Sequence, residues 1–168
     1  MIILESIVVA FSMYSKVPMP QIEWNEKNMK NTLCFFPWIG AAVGVLVWLW
    51  FLVSDLLGIG IILKAAVSVL IPVLVTGGIH LDGLLDTADA LSSWQPMEKK
   101  LEILKDSRAG AFAVLSCGCY LLLSCGLYAE ILEKQMGAMQ NFSDSRKLFV
   151  LALGFTVSRA LSGLSVLT

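Results

Sequence analysis

The sequence predicts an all-α protein: a polytopic membrane bundle of about four transmembrane helices with a short additional N-terminal helix. Of the 168 residues, 57% are apolar and only 15% are charged, whereas soluble domains average about 25% charged residues. The mean hydropathy of +0.79 is typical of membrane proteins. A net charge of −1 provides no basic field for nucleic acid. The apolar content also excludes intrinsic disorder.

The first 14 residues predict an interfacial or re-entrant helix. This stretch is apolar, but it carries Glu5 and is shorter than the roughly 20 residues that cross a bilayer. It lacks the basic start and the small-residue cleavage site of a signal peptide. We expect the helix to end at the turn formed by Pro18, Met19 and Pro20.

Three stretches with few charges predict the first three spans. Residues 31–54 and 109–129 carry no charge and are long enough to cross a bilayer. Residues 65–79 are also uncharged. They reach the required length if the helix begins near Ile61 and Lys64 extends its ammonium group to the lipid headgroups.

The last apolar stretch begins at Leu148 and is interrupted only by Arg159. The chain stops inside this segment, so either the helix ends at the far interface or the chain is a piece of a longer protein. We expect residues 1–168 to form one membrane domain that is truncated at its C-terminus. The predicted spans are 34–54, 61–80, 110–130 and 148–167.

The distribution of basic residues predicts the orientation. With four spans, the N-terminal segment and the 81–109 loop lie on one side with seven Lys and Arg residues, and the opposite side has four. The positive-inside rule therefore places the 81–109 loop in the cytoplasm. We expect a multi-pass protein of the cytoplasmic (inner) membrane whose active site faces the cytoplasm.

The four cysteines are predicted to be packing residues. They lie within the predicted spans, and no two have the CxxC spacing of a metal or redox site. They are Cys34, Cys117, Cys119 and Cys125.

An acidic segment follows Gly77 and Gly78, two residues that can interrupt a helix where it leaves the bilayer. Asp82, Asp86 and Asp89 recur at spacings of four and three, so they share one face of a helix within about 60°. Three carboxylates this close repel one another unless a cation neutralises them.

Hard oxygen ligands at an aqueous boundary favour Mg²⁺ or Mn²⁺, which proteins hold through a few carboxylates together with substrate phosphates. We predict a Mg²⁺ site formed by Asp82, Asp86 and Asp89, with Asp106 as a further ligand. The alternative is a solvated polar face at the membrane boundary.

A second polar cluster, residues 105–108, precedes the third span. Lys105, Ser107 and Arg108 are predicted to bind phosphate oxygens, and Arg159 is predicted to bind substrate because a charge inside a span usually faces a polar cavity. The alternatives are ordinary juxtamembrane charge for the cluster and an outward-extended side chain for Arg159.

The runs GGIHLDGLLDTADAL and EILKDSRAGAFAVL resemble the signature of the cobalamin synthase family, the adenosylcobinamide-GDP ribazoletransferases. The region of Pro18 and Pro20 after FSMY, the run FFPWIG and the pair Ser158-Arg159 also agree. The resemblance covers essentially the whole chain. Members of the family are longer, with further helices.

The resemblance implies a late step of cobalamin biosynthesis. The family joins a ribose hydroxyl of α-ribazole, or of its 5′-phosphate, to adenosylcobinamide-GDP. GMP leaves, adenosylcobalamin or its phosphate forms, and Mg²⁺ is required. We predict Asp82 and Asp86 as catalytic, with His80 as a further candidate base. On an uninterrupted helix, however, His80 lies opposite the three aspartates.

Two other classes remain open. One is another aspartate-rich, Mg²⁺-dependent membrane phosphotransferase or prenyltransferase. The second is a cation-coupled transporter, although transport sites usually lie near the bilayer midplane. Expected partners are the two small-molecule substrates and membrane lipid, and the oligomeric state is left open.

Overall fold

The computed structural model describes residues 2–23, 25–29, 31–106, 108–136 and 143–167. In this part of the chain every regular element is a helix, which confirms the predicted all-α class. A 3₁₀ turn, Thr32–Phe35, precedes α3. The helices are α1 (Ile2–Tyr14), α2 (Glu26–Met29), α3 (Phe36–Leu56), α4 (Ile61–Thr76), α5 (Ile79–Ser92), α6 (Met97–Ile103), α7 (Ala111–Met136) and α8 (Ser143–Leu167).

Helix α1 packs against the protein on one side, since Ser6, Val9 and Ala10 are fully buried. It contacts α2, the 3₁₀ turn and the start of α3. The helix ends at Tyr14, before the predicted proline turn, because the chain turns aside there: the Ser15 hydroxyl donates to the Phe11 carbonyl at 2.6 Å. The next amide, of Lys16, donates to the Val75 carbonyl at the end of α4 at 2.7 Å.

Helices α3 and α8 form the most extensive helix pair. Gly40 and Gly44 are one turn apart on α3, and a Cβ at either would collide with the α8 backbone, at Phe155 and Ala152 respectively. Small residues four apart allow two helix backbones to approach closely in a membrane. The adjoining core contains Val43, Val47 and Phe51 of α3 together with Ala65 and Leu132.

The connection between α3 and α4 is stabilised by Lys64, which is only 6% exposed. Its ammonium group donates to the carboxylate of Asp55, and its carbonyl accepts from the Trp50 indole at 3.0 Å and the Ser68 hydroxyl at 2.8 Å. The prediction that Lys64 extends to the lipid headgroups is therefore wrong. A carboxylate nine residues earlier in the chain gives the ammonium a nearer partner.

The second predicted span ends at Thr76 rather than at residue 80. Gly77 and Gly78 both have positive φ values, 64° and 81°, which glycine adopts without steric cost. They turn the chain so that α5 lies at 94° to α4. The predicted interruption by these two glycines is confirmed. Much of the 81–109 loop is helical, as α5 and α6.

Two described helices are long and apolar enough to cross a membrane, Thr32–Leu56 and Ala111–Lys134. The bent pair of α4 and α5 raises the count to three if it is taken as one span. In α8 the apolar part that is described, Phe149–Ser165, is shorter than a full span. The predicted count of four is thus approximate.

Candidate functional site

Helix α5 separates two cavities because its side chains point in opposite directions. The Asp82 amide continues the helical bonding by donating to the Gly78 carbonyl at 2.8 Å. The Asp82 side chain lines the larger cavity, and His80 lines the smaller one. Two residues along a helix correspond to roughly 200° of rotation, which explains the separation. Thr76 and Leu81 border both cavities.

The larger cavity, of about 620 Å³, lies where the segment after α1 meets the break between α4 and α5. Asp82 contributes a carboxylate, and Lys16, Ser12 and Ser15 contribute further polar groups. The Lys16 stem crosses Gly77 so closely that a Cβ there would lie 2.5 Å from the Lys16 Cε. This cavity therefore combines a cation and an anion around an irregular piece of backbone.

Lys16 was not among the predicted site residues, because it was considered only as one of the basic residues that set the membrane orientation. The available signal was its position two residues after the FSMY run, which the family resemblance had already singled out. Its contact with Gly77 joins segments about 60 residues apart in the chain, and a contact over that distance cannot be predicted from a local sequence pattern.

Asp82 and Asp86 are one helical turn apart on α5, Asp82 exposed and Asp86 half-buried. Neither forms an ion pair in the described ranges. Two carboxylates so placed fit Mg²⁺, which typically uses one or two carboxylates plus substrate phosphates. Within those ranges, no three His, Cys, Asp or Glu side chains lie close enough together to hold a metal ion. The four predicted metal ligands are thus not gathered into one cluster.

Asp89 has structural partners. Its carboxylate accepts from the Gly110 amide at 2.5 Å and the Ala113 amide at 2.8 Å, so it caps the start of α7 and fixes α5 to it. A Cβ on Gly110 would lie 2.7 Å from either Asp89 oxygen. A side chain at this position would therefore displace the Asp89 carboxylate from the contact.

Asp106 and Arg108 pair with each other at the entrance to α7. The guanidinium donates from Nη2 to Oδ2 at 2.8 Å and from Nε to Oδ1 at 3.0 Å. These hydrogen bonds lower the pKa of the Asp106 carboxyl from 3.8 to about 2 and raise the pKa of Arg108. Lys105 is exposed just before the pair. Ser107 lies outside the described residues.

The smaller cavity, of about 140 Å³, brings together His80 of α5, Tyr120 of α7 and Arg159 of α8. Phe36 at the start of α3 lies beside two of them: its ring is 5.6 Å from the His80 ring, and the Arg159 guanidinium carbon is 5.8 Å from its centroid. The predicted substrate residue Arg159 thus lies with His80, away from the three aspartates. Tyr120 carried no sequence signal of this role, and Phe36 lay in the FFPWIG run of the family resemblance without being assigned to the site.

Comparison with known proteins gives the family. The family model described as cobalamin-5-phosphate synthase matches residues 6–168. A protein of Lachnoclostridium phytofermentans named adenosylcobinamide-GDP ribazoletransferase is 46% identical over 163 residues, covering 97% of this chain and 58% of that protein. Proteins with the same name are 42% identical over 67% of the chain in Clostridium botulinum and 33% identical over 79% in Listeria monocytogenes.

The chain spans about half the length of these relatives, between 44% and 58%. No solved structure matches it. The family match covers nearly the whole chain and includes both cavities and the acidic helix α5. This chain belongs to the cobalamin-5-phosphate synthase family.

Proposed function

We propose that the protein joins α-ribazole, or α-ribazole 5′-phosphate, to adenosylcobinamide-GDP, releasing GMP and forming adenosylcobalamin or its 5′-phosphate. The observation that carries this proposal is the 46% identity, over 97% of this chain, with the relative named adenosylcobinamide-GDP ribazoletransferase. That stretch supplies the whole of the larger cavity with Asp82 and Lys16.

The reaction transfers the phosphoryl group on the cobinamide side from GMP to a ribose hydroxyl. A ribose hydroxyl oxygen forms a bond to the phosphorus on the cobinamide side, the bond from that phosphorus to the bridging oxygen breaks, and GMP leaves with that oxygen. Such transfers depend mainly on positioning and on neutralising charge. The larger cavity has room for a diphosphate and presents polar groups from two segments of the chain.

Asp82 and Asp86 are the proposed Mg²⁺ ligands, and the bound ion would neutralise charge on the donor diphosphate. Lys16, on the same cavity, is proposed to bind a phosphate oxygen. One of the two α5 carboxylates accepts the proton of the attacking hydroxyl. Asp89 and Asp106 are assigned to structure, since both carboxylates already have donors.

We place this site at the cytoplasmic face of the inner membrane, with lipid around the apolar helices. The support is the excess of Lys and Arg in the N-terminal segment and the 81–109 loop. Exposed leucines on α7, such as Leu122 and Leu123, suit a lipid environment.

The test uses a chimaera in which this chain replaces the matching part of the Lachnoclostridium phytofermentans relative. Reconstituted in lipid with adenosylcobinamide-GDP, α-ribazole and Mg²⁺, it should release one GMP per corrinoid product. The same chimaera with Asp82→Asn should lose at least about 100-fold in rate, about 3 kcal/mol of transition-state stabilisation. Release of GMP without corrinoid product, or turnover of prenyl diphosphates or cation flux instead, would overturn the proposal.

A further inference from the structure

The small cavity between α4, α5, α7 and α8 is not needed for the metal or for the donor diphosphate. Its lining combines polar side chains with apolar walls from Pro72, Val73 and Leu84. His80 and Arg159 face it from helices that are far apart in the sequence. The fold therefore assembles two nitrogen-rich side chains around a space that is lined by no carboxylate of the described residues.

His80 supplies the first indication of a ligand. Its Nε2 atom is buried and has no hydrogen-bond partner among the described residues. Buried polar atoms are nearly always paired, since an unpaired one loses its bonds to water without replacement. The His80 ring packs edge to face against Phe36 at 5.6 Å and lines the cavity, so a group that binds there and lets Nε2 turn towards it would supply the missing hydrogen bond.

Arg159 supplies the second indication. It is half-buried, and none of the ion pairs in the described part of the chain includes it. The Phe36 face beside the guanidinium offers only a weak interaction in place of a counter-ion. A charge inside a membrane helix normally has a partner of opposite sign or a polar cavity. Tyr120 adds a hydroxyl to the same lining.

We infer that the His80–Tyr120–Arg159 cavity binds the phosphate monoester group of a reactant. The inference rests on the proposed function and assigns this group a separate site beside the metal site. The planar guanidinium suits two oxygens of a phosphate. The imidazole nitrogen and the tyrosine hydroxyl are placed to bond the remaining oxygens.

The size of the cavity supports a single phosphate group. A volume of about 140 Å³ equals four to five waters at about 30 Å³ each, well below the roughly 300 Å³ at which pockets begin to enclose whole drug-sized ligands. A nucleoside or corrinoid must stay outside. Because Thr76 and Leu81 border both cavities, a phosphate bound here would place its attached group next to the donor site.

Two reactants can supply a phosphate monoester: the acceptor, as α-ribazole 5′-phosphate, and the departing GMP. Titration calorimetry with EDTA present distinguishes them without turnover or metal. The affinity for α-ribazole 5′-phosphate is compared with that for α-ribazole, and the affinity for GMP is compared with that for guanosine. The pair that shows the phosphate preference identifies the source.

For one pair we expect the phosphorylated compound to bind at least about 10-fold more tightly than its partner. Arg159→Gln should reduce this preference about 10-fold or more, and Tyr120→Phe about 3- to 10-fold. Arg159→Lys should restore part of it. Lys99→Gln removes an exposed cation elsewhere on the protein and should leave the preference unchanged.

Equal affinity within both pairs, or a preference that survives Arg159→Gln, would overturn the inference. If Arg159→Gln does not fold, Tyr120→Phe decides, because it removes one hydroxyl and keeps the ring. The GMP-release assay tests the proposed reaction independently. Turnover without a phosphate preference rejects phosphate binding in this cavity and leaves the proposed reaction standing. A phosphate preference without turnover rejects the proposed reaction and leaves phosphate binding in this cavity standing.

Discussion

The aspartates of α5 differ in what surrounds them, and that difference supports the roles proposed for them. Asp89 accepts two backbone amides at the start of α7, so its lone pairs are committed to holding two helices together. Asp82 faces the larger cavity, and Asp86 lies one turn further along the same face. A carboxylate without protein donors is the kind that can bind a cation or accept a proton.

Replacing Asp89 by alanine should destabilise the protein by about 0.5–2 kcal/mol, the usual cost of losing a helix N-cap. Asp86→Ala, on the same face of α5, should change stability by less than about 0.5 kcal/mol. Denaturant unfolding in mixed micelles measures both. Equal stability losses in the two variants would show that Asp89 is not a cap.

The pairing of Asp106 with Arg108 predicts a pH dependence. Hydrogen bonds from Arg108 lower the pKa of Asp106 from 3.8 to about 2. A lowered folded-state pKa means that the pairing stabilises the protein above about pH 4, and that this contribution is lost as the pH falls towards 2. An NMR titration of the Asp106 carboxyl should give a midpoint near 2, returning towards 3.8 in Arg108→Gln. A midpoint near 3.8 in the unmodified protein would contradict the pairing.

At this scale the sequence predicted the spacing of the aspartates better than what they contact. The spacing of Asp82, Asp86 and Asp89 correctly placed them on one helix face. It could not show that Asp89 meets amides 21 and 24 residues later. Nor could it show that Lys16 crosses Gly77, because that contact depends on where the segment after α1 meets the end of α4.

At the scale of helices, the break between α4 and α5 creates the site. Gly77 and Gly78 turn the chain by 94°, so α5 crosses the end of the bundle and presents different faces to the two cavities. The two glycines were recognisable from the sequence, because only glycine adopts such backbone angles readily. The direction of the turn was not recognisable from the sequence, since the packing of α5 on α7 sets it.

The close approach of α3 and α8 positions Arg159 beside Phe36, and Gly44 is where this approach can be tested. A Cβ at Gly44 would collide with the Ala152 carbonyl, so Gly44→Ala should cost about 1–3 kcal/mol in the free energy of unfolding. Gly154→Ala, on α8 with open space around it, should instead be neutral or stabilising by up to about 1 kcal/mol. The opposite order of stabilities would rule out tight α3–α8 packing.

At the scale of the whole molecule, the charge distribution predicts that the 81–109 segment faces the cytoplasm. In a variant lacking the four native cysteines, an impermeant maleimide added outside spheroplasts should label Gly137→Cys and leave Gln95→Cys unlabelled until the membrane is opened. Labelling of both positions at the same rate would reject the orientation.

Hydropathy located the membrane helices well, since α3 and α7 nearly match the predicted spans 34–54 and 110–130. It overestimated α4, which ends at Thr76. It also predicted a lipid-facing Lys64, where the structure has a buried Lys64 side chain paired with the exposed carboxylate of Asp55. Hydropathy measures composition along the chain and contains no information on which polar groups meet across a turn.

Under the proposed function, Asp82 and Asp86 hold a divalent cation together with the diphosphate of the donor. Mn²⁺ binding followed by electron paramagnetic resonance tests it directly, with and without adenosylcobinamide-GDP. We predict that the donor tightens Mn²⁺ binding by at least about 10-fold and that Asp82→Asn and Asp86→Asn abolish this gain. Glu98→Gln, which removes an exposed carboxylate of α6, should preserve it. A gain that persists in both aspartate variants would contradict the account.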